Sequence, residues 1–335
     1  MTEKFNKCKK NSRKIVTILL VSLLLTGCET DISVFDNYEI PLSQSSEQDI
    51  SEGTTADNID SEFLSADICV VPKKKQSQKD SFMTAGASLI FDNTHNKMLY
   101  ADNIYTKMYP ASTTKIVTAL VALKYGNLND EVTISYNATH INEYGAKLCG
   151  FAEGDKITLK KPLYSFLICS GNDAGIAIAE HIAGSVDKFA AMMNKEVKAL
   201  GCSGSNFVNP HGLHDDNHYT TPYDLYLVFH ELLKYDVFMD IINHSSYKAE
   251  FNGADGNKKT LWFTSTDKYL LGSAKAPEGV TVIGGKTGTT SMAGSNLILY
   301  SKNSNGNSYI SVVMHASDSF SLYSQMSHLL ELENQ

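Results

Sequence analysis

Ser112 and Lys115 stand three residues apart in the run Tyr109-Pro110-Ala111-Ser112-Thr113-Thr114-Lys115. Pro110 is tolerated at the first position of a helix, so the run predicts a helix start with Ser112 in its first turn. Residues three apart share a helix face, which brings the Lys115 amine to the Ser112 hydroxyl. A serine is a weak nucleophile without an adjacent base. Lysine can be that base where burial and a nearby cation pull its pKa toward neutrality. Ser170-Gly171-Asn172 follows 58 positions after Ser112, between two apolar runs at 162–169 and 173–183. A glycine there permits a tight turn that aims a hydroxyl and an amide the same way. Lys286-Thr287-Gly288, with Thr289 next, lies 116 positions further on, after Gly284-Gly285. An ammonium and hydroxyls on a strand edge suit a substrate carboxylate, and the free backbone of that edge suits an extended peptide. Each motif alone has an ordinary structural reading: an exposed helical lysine, an N-capped interhelical turn, a strand-end lysine.

The elements that must position these residues are legible in outline. Ala85 to Phe91 reads as a buried strand, Asp92 to Asn96 as a turn, and Lys97 to Tyr100 as a returning strand. The apolar period turns helical over 110–124, and further helices are predicted at 187–200, stopped by Gly201, and at 221–235. Strands return at 280–283, 295–300 and 309–315. Strands early and late with helices between predict a mainly antiparallel sheet built from both ends of the chain, flanked by helices, with a helical subdomain inserted.

The trio in this order is the one shared by penicillin-binding proteins and class A β-lactamases. With Ser170-Gly171-Asn172-Asp173-Ala174, Asn209-Pro210-His211-Gly212-Leu213 and Gly284-Gly285-Lys286-Thr287-Gly288 beside it, the chain resembles the D-alanyl-D-alanine carboxypeptidases over roughly residues 82–332. The resemblance implies an α/β fold of the penicillin-binding type and removal of the terminal D-alanine from peptidoglycan stem peptides. It implies Ser112 as nucleophile, Lys115 as base and Ser170 as proton relay. Lys286 would hold Lys115 neutral, and Asn172 would bind the peptide and orient Lys115. Thr287, Gly288 and Thr289 would form the substrate edge, with the Ser112 and Thr289 N–H groups as oxyanion hole. It further implies acylation by β-lactams, and it calls for no metal or cofactor. Many relatives carry an arginine near the start of the last helix; here Leu322 stands in its place. That departure keeps endopeptidase or transferase activity, and a catalytically weak penicillin-binding surface lipoprotein, as alternatives. A β-lactamase would need a Glu-x-x-Leu-Asn loop, which the sequence lacks.

Composition bounds the rest. The 335 residues carry 29 basic and 37 acidic side chains, net −8, a poor balance for a nucleic-acid partner. Residues 1–14 hold five lysines, Arg13 and one acid; an apolar run of about 11 residues follows, where a membrane span needs roughly 20. That predicts an export signal over residues 1–27. Leu25-Thr26-Gly27-Cys28 resembles a lipoprotein cleavage site, which implies a lipid on Cys28 and a body anchored outside the cytoplasmic membrane. Removing residues 1–27 leaves 23 basic and 36 acidic residues, net −13, and no arginine. Residues 29–67 hold 11 acids and no lysine or arginine, predicting a disordered tether over 28–80. The catalytic domain is then residues 81–335, whose last 49 residues after Lys286 complete the sheet and one helix. Lys73-Lys74-Lys75 reads as a solvated patch. His211, His214 and His218 with Asp215 and Asp216 read as loop residues rather than a zinc site. Cys149, Cys169 and Cys202 read as buried thiols rather than a disulfide, and Trp262, Phe263 and Tyr269 as core or rim.

Overall fold

The structure is a computed structural model that describes Ser77 and residues 80–143 and 145–335. The export signal, Cys28, the acidic segment and Lys73-Lys74-Lys75 lie outside the described residues. No helix among the described residues is long and apolar enough to cross a membrane.

In chain order, β1 (Ala87–Asp92) and β2 (Lys97–Asp102) lead into α1 (Lys115–Tyr125). Then come β3 (Glu131–Thr133), α2 (Tyr136–Thr139), β4 (Lys156–Thr158), α3 (Lys160–Ile168) and α4 (Asn172–Ala183). They are followed by α5 (Val186–Ala199), α6 (Pro222–Leu232), α7 (Asp236–Ile242), β5 (Ser246–Asn252) and β6 (Lys258–Thr264). The chain closes with β7 (Val280–Thr290), β8 (Gly294–Asn303), β9 (Ser308–Ala316) and α8 (Ser319–Leu330).

The main sheet has the order β2-β1-β9-β8-β7, antiparallel throughout. The early strands thus meet the late ones, as the two-ended pattern predicts. Successive side chains on a strand point to opposite faces, and here both faces are apolar. On β8, Ile298 and Tyr300 enter the core shared with the helical insertion, while Leu297 and Leu299 meet Leu322, Met326 and Leu329 of α8. Ile310, Val312 and Met314 of β9 face the insertion, and Tyr309 and Val313 face α8. Each such side chain removed from water contributes about 1.5–3 kcal/mol, which is why these strands read as near-continuous apolar runs. Helix starts follow local chemistry: the side chains of Ser185, Thr221 and Asp318 accept the N–H groups of Lys188, Asp224 and Ser321.

Two expectations need correction. The insertion is not only helical; it carries a second sheet, β3-β4-β5-β6. β3 and β4 are three residues each, too short for a periodic signal, and β5 and β6 are mostly exposed and lysine-rich. The helix predicted from Pro110 begins instead as a 3-10 turn, Ala111–Thr114, and α1 proper starts at Lys115. Ala111 has φ +49°, a left-handed conformation that no α-helix accepts.

Candidate active site

Three elements converge on a cleft of about 710 Å³ lined by Ser112, Ser170, Asn172, Thr287, Gly288 and Thr289 among others. The serine turn is held from the sheet. Asn296 on β8 is fully buried; its amide donates to the carbonyls of Tyr109 and Pro110, both at 3.0 Å, and its Oδ1 accepts the His315 N–H at 2.7 Å. Gly288 on β7 lies directly against the same turn. A Cβ there would sit 2.7 Å from the Pro110 oxygen and 2.9 Å from the nitrogens of Ser112 and Thr113. All three are backbone atoms, so the turn would have to move. Gly288→Ala is therefore expected to lower the rate of Ser112 acylation by a fluorescent penicillin on the order of 10²-fold, the cost of a displacement near 1 Å; an unchanged rate would mean the turn is not seated on β7.

Lys115, the first residue of α1, is wholly buried. Its Nζ lies 2.7 Å from Asn172 Oδ1, 2.7 Å from the His211 carbonyl oxygen and 3.0 Å from Ser112 Oγ. Burial, reinforced by the charge of Lys286, holds its pKa well below the ordinary lysine value. A neutral amine has two N–H bonds and one lone pair. The two carbonyl-type oxygens can only accept, so they take the N–H bonds, and the lone pair is left for the Ser112 O–H. This arrangement can remove a proton from the serine.

Lys286 is also buried, donates to the Thr287 carbonyl at 2.9 Å, and is depressed to about 7 by burial and by the charge of Lys147. Ser170 occupies the corner between α3 and α4 with φ +66°, and Gly171 leaves room where a Cβ would meet the Cys149 Sγ at 2.3 Å. The Thr287 hydroxyl is paired with that of Thr266 at 2.6 Å. The cleft thus gathers Ser112, Ser170, Asn172 and Thr287 to Thr289 along its wall, with Lys115 and Lys286 buried behind them.

Several contributors were not foreseen. The His211 carbonyl is a backbone atom, for which side-chain type carries no signal beyond the Asn209-Pro210-His211-Gly212-Leu213 run. Lys147 and Lys268 line the cleft from loops without periodicity. Leu322 is buried and lines the cleft too. The His218 ring accepts the Val208 N–H at Nδ1 (3.1 Å), so its Nε2 donates to Thr114 Oγ1 at 2.7 Å. His211 Nδ1 accepts the Leu213 N–H at 3.2 Å. Among the described residues no group of three or more metal-ligating side chains forms. Trp262 is 70% exposed on β6, whereas Phe263 is buried and Tyr269 donates to Ser327 or accepts from it at 2.8 Å.

Burial lowers the His218 pKa from 6.5 to about 4. Between these values the unfolded chain binds a proton that the folded chain refuses, so stability is intact above pH 6.5 and lost as pH falls toward 4. The loss reaches about 2 kcal/mol at pH 5. Asp267 and Glu333, raised by burial to about 6 and about 7, act in the opposite sense over this range, so the informative quantity is a difference. The Tm advantage of the parent over His218→Gln is expected to shrink by roughly 4–8 °C between pH 7.5 and 5; a constant difference would show that His218 is not held neutral.

The family described as D-alanyl-D-alanine carboxypeptidase matches residues 73–318. The chain is 32% identical over 252 residues to D-alanyl-D-alanine carboxypeptidase DacF of Bacillus subtilis, covering 74% of this chain and 61% of that protein. It is 32% identical over 238 residues to DacA of Haemophilus influenzae, covering 69% and 57%. It therefore spans about three-fifths of the length of these relatives. Among solved structures, a Streptomyces DD-transpeptidase superposes with TM-score 0.70 at 26% identity, covering 77% of this chain and 99% of that one. Penicillin binding protein 5 from Haemophilus influenzae superposes with TM-score 0.65 at 29% identity, covering 76% and 72%. The match takes in all three motif segments and the sheet that gathers them, and the chain belongs to the D-alanyl-D-alanine carboxypeptidase family.

Proposed function

We propose that the chain is a serine-type D-alanyl-D-alanine carboxypeptidase that removes the terminal D-alanine from peptidoglycan stem peptides. The observation that carries this reading is the buried Lys115 amine, 3.0 Å from Ser112 Oγ with both its N–H bonds spoken for. Lys115 takes the hydroxyl proton as Ser112 Oγ attacks the carbonyl of the D-Ala–D-Ala bond. The N–H groups of Ser112 and Thr289 receive the developing oxyanion, an interaction worth roughly 3 kcal/mol per donor. Ser170 passes the proton to the leaving amine, and D-alanine departs from an acyl-enzyme that water hydrolyses. Asn172 holds Lys115 and faces the peptide. Burial, reinforced by the charge of Lys286, keeps Lys115 neutral, and Thr287 receives the terminal carboxylate with Gly288 at its side. No step requires a metal or cofactor.

A β-lactam presents its strained amide to Ser112 in the same way and leaves a slowly hydrolysed acyl-enzyme. With Leu322 where many relatives carry arginine, the positive charge near the carboxylate falls to Lys286 and to Lys268, whose Nζ lies 5.3 Å from the Tyr323 ring at the cleft wall. Lysine grips a carboxylate less rigidly than arginine, so a D,D-endopeptidase acting on an internal D-Ala bond is the second reading. Residues 1–27 are proposed as a lipoprotein signal, Cys28 as the lipidated residue and 28–80 as the tether, placing the 81–335 body outside the cytoplasmic membrane.

Mass spectrometry of a synthetic stem peptide ending in D-Ala-D-Ala tests the reading. Loss of one alanine is expected, with a peptide ending in L-Ala-L-Ala left intact. An untouched D-Ala-D-Ala peptide alongside cleavage of a cross-linked dimer would install the endopeptidase instead.

A further inference from the structure

Cys149 and Cys169 have no part in the mechanism above, yet their sulfur atoms lie 3.5 Å apart. Both sit at the corner that presents the second motif. Cys169 caps α3 and immediately precedes Ser170, and Cys149 lies in the 145–155 segment before β4, against the start of α4. The backbone around the two thiols is pinned. The N–H groups of Cys149 and Gly150 donate to the Asp173 carboxylate at 2.8 and 3.0 Å, and the Asn172 N–H donates to the Lys147 carbonyl at 2.6 Å. Gly171 lies between them, and only the absence of its Cβ lets the Cys149 sulfur approach. A disulfide has its sulfurs about 2.05 Å apart, so closing the pair takes about 1.5 Å of movement.

We propose that Cys149 and Cys169 are a disulfide-forming pair, a modification site that ties the 145–155 segment covalently to the Ser170–Asn172 corner. The oxidant is a small organic disulfide or a disulfide-exchange protein. One S–S bond forms between Cys149 and Cys169 and the oxidant's S–S bond breaks. Two electrons pass from the two thiols to the oxidant, whose two sulfurs take up the two thiol protons. Of the two residues Cys149 is half-buried and Cys169 buried, and burial, with the hydrogen bond to Cys169, pushes the Cys149 thiol well up. Hydrogen bonds from the Cys149 thiol and the Gly171 N–H, with the charge of Lys147, favour the thiolate of Cys169 against its burial. For its oxidant in the cell this inference rests on the extracytoplasmic placement proposed above; the test supplies the oxidant itself. Cross-linking residues 20 positions apart restricts the unfolded chain, so the bonded form is expected to melt roughly 6–12 °C higher than the reduced form.

The experiment treats the full chain with oxidised glutathione, blocks remaining thiols with iodoacetamide, and maps tryptic peptides without reduction. The expected product joins the peptide carrying Cys149 to the one carrying Cys169, two hydrogens lighter than their sum. Dithiothreitol is expected to lower the Tm of this product by the stated amount and to leave Cys149→Ala unaffected. Alkylation of both thiols, glutathione adducts alone, or pairing of either with Cys202 would overturn the proposal, as would a bond whose reduction leaves Tm unchanged. The peptide map of the parent stands whether or not the variant folds. Absence of penicillin labelling in the reduced protein, with the bond still forming on oxidation, would count against the peptidase reading alone.

Discussion

Ser112→Ala is expected to abolish covalent labelling by a fluorescent penicillin and to lower release of D-alanine by roughly 10⁴-fold or more, the scale on which a nucleophile deletion acts. The fold should be untouched. Ser112 lies in a 3-10 turn fixed through its neighbours: Asn296 holds the carbonyls of Tyr109 and Pro110, Thr113 Oγ1 donates to the Pro110 carbonyl at 2.8 Å, and Thr114 receives the His218 ring. None of these contacts uses the serine hydroxyl. Melting temperature and circular dichroism should match the parent. Penicillin labelling that persists in this variant would place the nucleophile elsewhere.

Lys115→Met is expected to lower acylation by roughly 10²–10⁴-fold, the usual contribution of a positioned base, while the Ser112 hydroxyl remains in place. The methionine fills the volume without the lone pair. It leaves the Asn172 amide oxygen and the His211 carbonyl without their N–H donor, at about 1–3 kcal/mol each, partly offset because an amine no longer has to be buried. Separate measurement of Tm therefore distinguishes a lost base from a lost fold. The residual acylation should also lose the acid-side decline that the parent shows as Lys115 takes up a proton. A variant that acylates at the parent rate would remove Lys115 from the chemistry.

The chemistry was more legible than its setting. Ser112, Lys115, Ser170, Asn172 and Lys286 to Thr289 could be picked out because nucleophile, base and carboxylate partner are distinctive side chains at characteristic separations. The two-ended sheet was visible because β1, β8 and β9 are buried on both faces and read as apolar runs. What escaped was set by tertiary contact. The turn at Ala111 looks helical by residue type, but seating it on Gly288 and Asn296 forces a left-handed residue and a 3-10 geometry. The β5–β6 hairpin keeps one face in solvent and so lacks an apolar run. The His211 carbonyl serves Lys115 through the backbone, where the side chain says nothing. Cys149 and Cys169 were separately read as buried thiols; Cys169 is buried and Cys149 only half so, and their meeting depends on the hydrogen bonds from Cys149 and Gly150 to Asp173 of α4.

The central claim is that Lys115 is an uncharged base at neutral pH. The second-order rate of Ser112 acylation by a fluorescent penicillin, followed from pH 5 to 11, tests it most directly. The acid-side midpoint should fall well below that of an ordinary lysine, because burial and Lys286 hold the Lys115 pKa well below the ordinary value, while discharge of Lys286, itself depressed to about 7, lowers the rate on the alkaline side. A rate that keeps climbing to a midpoint near 10.4, the value of an unperturbed lysine, would contradict the account.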